Sequence, residues 1–199
     1  MRYQRRGLLC ILPVLALLAG TPDSAIAQTA PPSAQPETAA RQQRLDALFG
    51  RLKATKDEAE GDAVVAEIWQ VWMQSGDAAL DEAMQRAVLA MGHVPGLALP
   101  ILDDIVARAP QWAEGWNKRA TALFLLGEYD RSLADIDRVL ALEPRHFGAL
   151  AGQGFIRMNQ GESRQALAAL RRALAVNPFL KERHGLIPAL EKETGEEPI

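Results

Sequence analysis

The sequence predicts an all-α fold, an array of helical repeats stacked side by side as an α-solenoid. Three observations carry that expectation. Proline, glycine and small residues recur with a period of 34. Apolar residues fall at helical spacing both inside and upstream of the periodic region. No segment alternates with period two for long enough to suggest a strand.

The period is read in four series. Pro110, Pro144 and Pro178 are each 34 residues apart, as are Gly127 and Gly161. Ala98, Ser132 and Ala166 keep the same spacing, and so do Leu102, Ile136 and Leu170. Each series has a physical use. Glycine takes the positive φ that ends a first helix, and proline, without an N–H, stops a second one. Small residues let two helices approach closely. One such pair cannot cover its own apolar face, so neighbouring pairs stack, and about three are needed for stability.

Residues 113–146 (AEGWNKRATALFLLGEYDRSLADIDRVLALEPRH) resemble a tetratricopeptide repeat, in which helix A and helix B form an antiparallel pair. Trp116, Ala120, Gly127, Tyr129, Ser132, Ile136, Val139 and Pro144 occupy the family's patterned positions. Val139 is bulkier than usual there, and Arg119 replaces a usual leucine. Residues 147–180 repeat the pattern with Leu150, Gly154, Gly161, Ser163, Ala166, Leu170, Ala173 and Pro178. Ser163 stands where an aromatic is usual and Arg157 where a tyrosine is, so thinner interhelix packing is expected in this second repeat.

The frame extends upstream in weaker form. Residues 79–110 keep Ala98, Leu102, Ile105 and Pro110, with His93 at the glycine position. Residues 45–76 keep Val64, Ile68 and Val71 and end at Gly76. Leu45, Leu48, Phe49 and Leu52 fall at i, i+3, i+4, i+7, and Val64, Val65, Ile68, Trp69 and Trp72 make a broad apolar stripe. The expected division is therefore 41–110 as degenerate repeats, 111–180 as two clear repeats, and 181–199 as a C-terminal capping helix and tail.

The first residues read as an export signal. Arg2, Arg5 and Arg6 precede an apolar run of 14 residues, Gly7 to Gly20, and Ala25-Ile26-Ala27 offers small residues for cleavage after Ala27. The run is short of the roughly 20 residues a membrane span needs. An uncleaved anchor, which would bring the chain to a membrane, is the other reading. Residues 28–40, rich in Pro and Ala, read as a disordered linker. The expected location is periplasmic.

Charge and cysteine content exclude several functions. The whole chain is −3; its leader, with three arginines and Asp23, is +2, leaving a mature chain at −5. That balance, with no basic cluster, gives no electrostatic case for nucleic acid. Cys10 is the only cysteine and lies in the leader, so cleavage removes thiol chemistry and thiolate metal sites. His93, His146 and His184 are far apart in sequence and read as exposed loop histidines, not metal ligands. Asp103, Asp104, Asp135 and Asp137 read as solvated helix faces, since neighbouring helical positions do not converge. Trp69, Trp72 and Trp116 read as core, and Trp112 as partly exposed. No catalytic constellation, cofactor or small-molecule substrate is implied.

The resemblance implies a protein or peptide partner held in the concave groove lined by the A helices. Carried over by position, that groove is Glu114, Asn117, Thr121, Phe124 and Leu125 from one repeat, with Gly148, Ala151, Phe155, Met158 and Asn159 from the next. Phe124, Leu125, Phe155 and Met158 either form an apolar floor for a helical or extended peptide or pack on neighbouring repeats. Asn117 and Lys118 are a fragment of a carboxylate clamp, but Ala151 and Gly152 offer no matching donors. The function implied is a non-enzymatic adaptor in cell-envelope assembly or integrity, with a holdase or a self-assembling structural protein as the alternative.

Overall fold

The structure, a computed structural model, describes residues 36–198. The expected signal segment, its cleavage site, Cys10 and most of the expected linker lie outside the described residues. Helix α1 (Pro36–Ala54) begins within the last five residues assigned to that linker. It is followed by α2 (Glu58–Met73), α3 (Ala78–His93), α4 (Pro95–Arg108), α5 (Ala113–Leu125), α6 (Tyr129–Leu142), α7 (Phe147–Asn159) and α8 (Ser163–Val176). A 3₁₀ turn (Lys181–His184) leads into α9 (Leu186–Thr194), and the described residues hold no strand.

Three helix pairs, α3/α4, α5/α6 and α7/α8, stack in chain order through α4 on α5 and α6 on α7. The periodic residues explain the boundaries. Gly127 and Gly161 both adopt φ 76°, and the N–H groups that follow fold back onto the ends of α5 and α7: Glu128 N donates to Leu123 O at 2.9 Å and Glu162 N to Arg157 O at 2.8 Å. The backbone N–H groups of Glu143 and Asn177 close α6 and α8, and Pro144 and Pro178 follow at once. Ser132, fully buried, turns its hydroxyl to Ala120 O at 2.7 Å, joining α6 to α5 where both residues are small.

Apolar side chains close each layer. Leu80, Met84, Leu102 and Ile105 fill the α3/α4 pair. Ile136, Val139 and Ile156 fill the space between α5, α6 and α7. Leu150, Leu167 and Leu170 join α7 to α8, and Ile187 and Leu190 of α9 cap that face. The thinner packing expected for α7/α8 is not seen. Gly154 brings the helices so close that a Cβ there would lie 2.7 Å from Leu170 Cγ. Arg157 instead pairs with Glu162 at 2.8 Å, and the Ser163 hydroxyl reaches Glu193 of α9 at 2.6 Å.

The first hairpin departs most from expectation. Residues 45–76 do not stack on α3 as one more repeat. Helices α1 and α2 bury Leu45, Leu48, Phe49 and Leu52 against Val64, Ile68, Val71 and Trp72, and the pair then lies against α5 and α7. Its outer contacts are ion pairs, Arg145 with Asp46 at 2.7 Å and Arg183 with Glu58 at 2.8 Å. Two further expectations are corrected. Trp112 is buried, its Nε1 donating to Trp72 O at 2.8 Å. Asp135 is buried rather than solvated, held by Arg119 at 2.7 Å.

Candidate protein-binding groove

Helices α5 and α7 are the A helices of the two clear repeats, so their shared face is the expected groove. The structure divides that face in two along the helices. The N-terminal half lies under α2. The C-terminal half is open, with Leu125 52% and Met158 37% exposed and Asn159 exposed beside them. Phe124 is half-buried and rests against the Tyr129 ring, centroids 5.9 Å apart, within the packing between repeats. Phe155 is half-buried at the edge of the α7/α8/α9 core.

Under α2 the floor is polar and closed. Glu114, only 1% exposed, accepts from Asn117 Nδ2 at 3.0 Å and sits 3.0 Å from His146 Nε2. Lys118 Nζ lies 2.8 Å from the other carboxylate oxygen, an ion pair by distance though off the line of a directed hydrogen bond. His146 is not an exposed loop histidine. It is fully buried and caps α7, its Nδ1 accepting from Ala149 N at 3.1 Å, which leaves the proton on Nε2 for Glu114. Burial is the largest influence on the Glu114 carboxyl and opposes its ionisation. The His146 hydrogen bond and the Lys118 charge together outweigh it and hold the group below its ordinary value.

Helix α2 covers this network with tryptophan. The Trp72 ring stacks on His146, centroids 4.0 Å apart and 12° from parallel. The Trp69 ring takes Lys118 Nζ at 5.2 Å from its centroid and meets Phe147 edge-on at 5.5 Å. Gly148 makes room for it, since a Cβ there would lie 2.6 Å from Trp69 Cη2. Beyond Trp69, Gly61 packs on Phe179 so closely that a Cβ there would lie 2.5 Å from the ring. An open cleft of about 380 Å³ lies between α2 (Asp62, Val65), the floor (Asn117, Thr121, Ala151, Phe155) and residues 177–182. Thr121 donates to Asn117 O at 2.9 Å, and Ala151 is buried.

The structure thus brings Asn117, Thr121, Ala151 and Phe155 to one cavity, places Glu114 beneath it, and leaves Leu125, Met158 and Asn159 on the open side. Sequence reasoning missed His146 and Lys118 as parts of one network, and Trp69 and Trp72 as its cover. Among the described residues no group of three or more His, Cys, Asp or Glu is placed to hold a metal, and no helix is long and apolar enough to cross a membrane.

Comparison with known proteins agrees with this architecture. A family model described as tetratricopeptide repeat matches residues 113–146. A TPR repeat-containing protein of Rhizobium etli is 42% identical over 137 residues, covering 68% of this chain and 67% of that protein. Anaphase-promoting complex subunit 7 of Dictyostelium discoideum is 32% identical over 77 residues, 39% of this chain and 13% of that protein. Among solved structures, the crystal structure of the MamA protein superposes with a TM-score of 0.53 over 79% of this chain and 84% of that one, at 14% identity, a likeness of fold. Period, glycine and proline caps, stacked pairs and the Rhizobium relative all agree: the chain belongs to the tetratricopeptide-repeat family.

Proposed function

We propose that this chain is a non-enzymatic adaptor that works in the periplasm, in cell-envelope assembly or integrity, and binds a partner protein on the face shared by α5 and α7. Its family is one of protein-interaction scaffolds. The observation that carries the choice of surface is the open half of the groove, where Leu125 and Met158 stand exposed about one helical turn beyond Thr121 and Phe155, which line the cleft. Soluble proteins bury side chains of this size where packing allows, and an apolar pair at the mouth of a concave face suits a partner's apolar anchor. Methionine adds adaptability to such a contact. The arginine-rich, then apolar, then small-residue order of residues 1–27 supports export.

The test is crosslinking in intact cells followed by fractionation and affinity capture, with a Leu125→Glu, Met158→Glu double variant alongside. Both positions are exposed, so the variant is expected to keep its helical circular dichroism. The parent should be found in the periplasmic fraction with its N-terminus at Gln28, joined to one envelope protein in a fixed ratio that the variant loses. Capture that is unchanged in the variant, or spread over many unrelated proteins, would overturn the adaptor reading in favour of a holdase.

A further inference from the structure

The α1–α2 hairpin lies where a groove-bound partner would lie, and several features set it apart from the stack. It does not stack on α3, its neighbour in sequence, as the other pairs stack on theirs, and meets the α3/α4 core through Met73, the last residue of α2. It joins α3 through Gln74–Asp77, where Gly76 adopts φ 89° and Ser75 holds Asp81 Oδ1 through its N at 2.7 Å and its Oγ at 2.6 Å. The Trp72 indole N–H is buried with no acceptor, although buried donors are nearly always paired. A cleft of about 380 Å³ lies beside α2 at Asp62 and Val65, between that helix, the α5/α7 floor and residues 177–182. The well-made part is specific. Two ring sites lie side by side, one on His146 and one between Lys118 and Gly148, which has no Cβ to obstruct it.

We propose that α2 is a resident stand-in for the partner, which displaces it. That partner is an amphipathic helix carrying two aromatic side chains three residues apart, as Trp69 and Trp72 are, with a larger apolar residue where α2 has Val65. This deepens the reading of the α5–α7 face as the binding surface and rests on it. A tethered occupant lowers the apparent affinity of any competitor in proportion to how rarely the seat is vacant. The hairpin therefore sets a threshold that only a better-fitting helix passes.

The probe is a fluorescent synthetic peptide of residues 57–74 carrying Val65→Leu, titrated against the full mature chain. Two variants weaken the resident helix without altering the floor. Gly61→Leu places a side chain where even a Cβ would meet the Phe179 ring at 2.5 Å, and Trp69→Ala removes one seated ring. Both should bind the peptide about tenfold or more tightly than the parent does. A peptide with both tryptophans replaced by alanine should not bind. Hydrogen exchange on the parent should show α1 and α2 opening before α5–α8, and saturating peptide should speed exchange in α2 while slowing it in α5 and α7. Equal binding by parent and variants, or α1–α2 exchange no faster than that of α5–α8, would make the hairpin a fixed element and overturn the proposal. Sedimentation showing that the release variants dimerise would give the seat to a second copy, which overturns it too. Loss of this inference with partner capture still sensitive to Leu125→Glu, Met158→Glu leaves the adaptor reading standing, whereas insensitive capture removes that reading itself.

Discussion

Replacing Glu114 with alanine is expected to destabilise the fold by about 3–5 kcal/mol, the range for breaking a buried ion pair from one side. The figure follows from what is left behind. The His146 Nε2–H and the Asn117 amide, both within 3.0 Å of the carboxylate and both buried, lose their acceptor at about 1–3 kcal/mol each. Lys118, on the other carboxylate oxygen at 2.8 Å and with its side chain 19% exposed, loses its charge partner as well. Glu114→Gln keeps the volume and one acceptor oxygen and should cost about 1–2 kcal/mol. Urea unfolding followed by circular dichroism at pH 7 reads both values. With a slope of about 2 kcal/mol per molar, Glu114→Ala moves the midpoint down by about 1.5–2.5 M. Acid gives an independent check. The folded-state carboxyl ionises below its ordinary value of 4.5, so its stabilising contribution is complete above about pH 4.5 and is lost as pH falls through the folded-state value. Glu114→Gln should lose that part of the acid dependence. A loss under about 1 kcal/mol for Glu114→Ala, or an unchanged acid slope in Glu114→Gln, would refute the account of this network.

Two further outcomes follow from the stack. Gly154→Ala, whose Cβ would sit 2.7 Å from Leu170 Cγ and 3.2 Å from Ala166 O, should lower Tm by about 3–6 °C, while Gly152→Ala, with Ile136 Cδ1 at a comfortable 3.6 Å, should leave Tm unchanged or raised; scanning calorimetry of the pair decides. Arg119→Ala strands the buried Asp135 carboxylate and should cost about 2–4 kcal/mol in urea unfolding, whereas Asp103→Ala, at the exposed end of the same bridge, should change stability by less than about 0.5 kcal/mol.

The repeats were legible because each of their signals is local. A glycine at φ 76°, a proline after the last turn and a small residue between two helices act within one pair, and the 34-residue frame multiplies them. The seat of α2 was not legible for the opposite reason. Val64, Ile68 and Val71 face α1, while Val65 and Trp69 face α5 and α7, so α2 is apolar on two sides. In sequence this is a broad stripe that suits a stacked repeat equally well. The missing proline at the end of residues 45–76 was the one local sign that this segment leaves the array. His146 was misread because a histidine beside a proline resembles a loop residue, and its partner Glu114 is 32 residues away. That distance is nearly one repeat, so the two residues are neighbours in space for the same reason the prolines recur.

Departures from the family pattern mark where this chain makes contacts of its own. Arg119, in place of a leucine, holds Asp135 of α6 at 2.7 Å and Asp103 of α4 at 2.9 Å, and its guanidinium lies 4.8 Å from the centroid of the Trp116 ring. One substitution thus ties three helices from two repeats. Ser163, in place of an aromatic, is small enough to leave its hydroxyl to Glu193 of the capping helix. Gly148, at a groove position that in the preceding repeat carries Glu114, admits the Trp69 ring. Each of these residues makes a contact with an element outside its own repeat: α4, α9 and α2 in turn. A residue that breaks the repeat pattern is therefore best explained by looking beyond its own helix pair. By that test the face shared by α5 and α7 is shaped around the rings of Trp69 and Trp72.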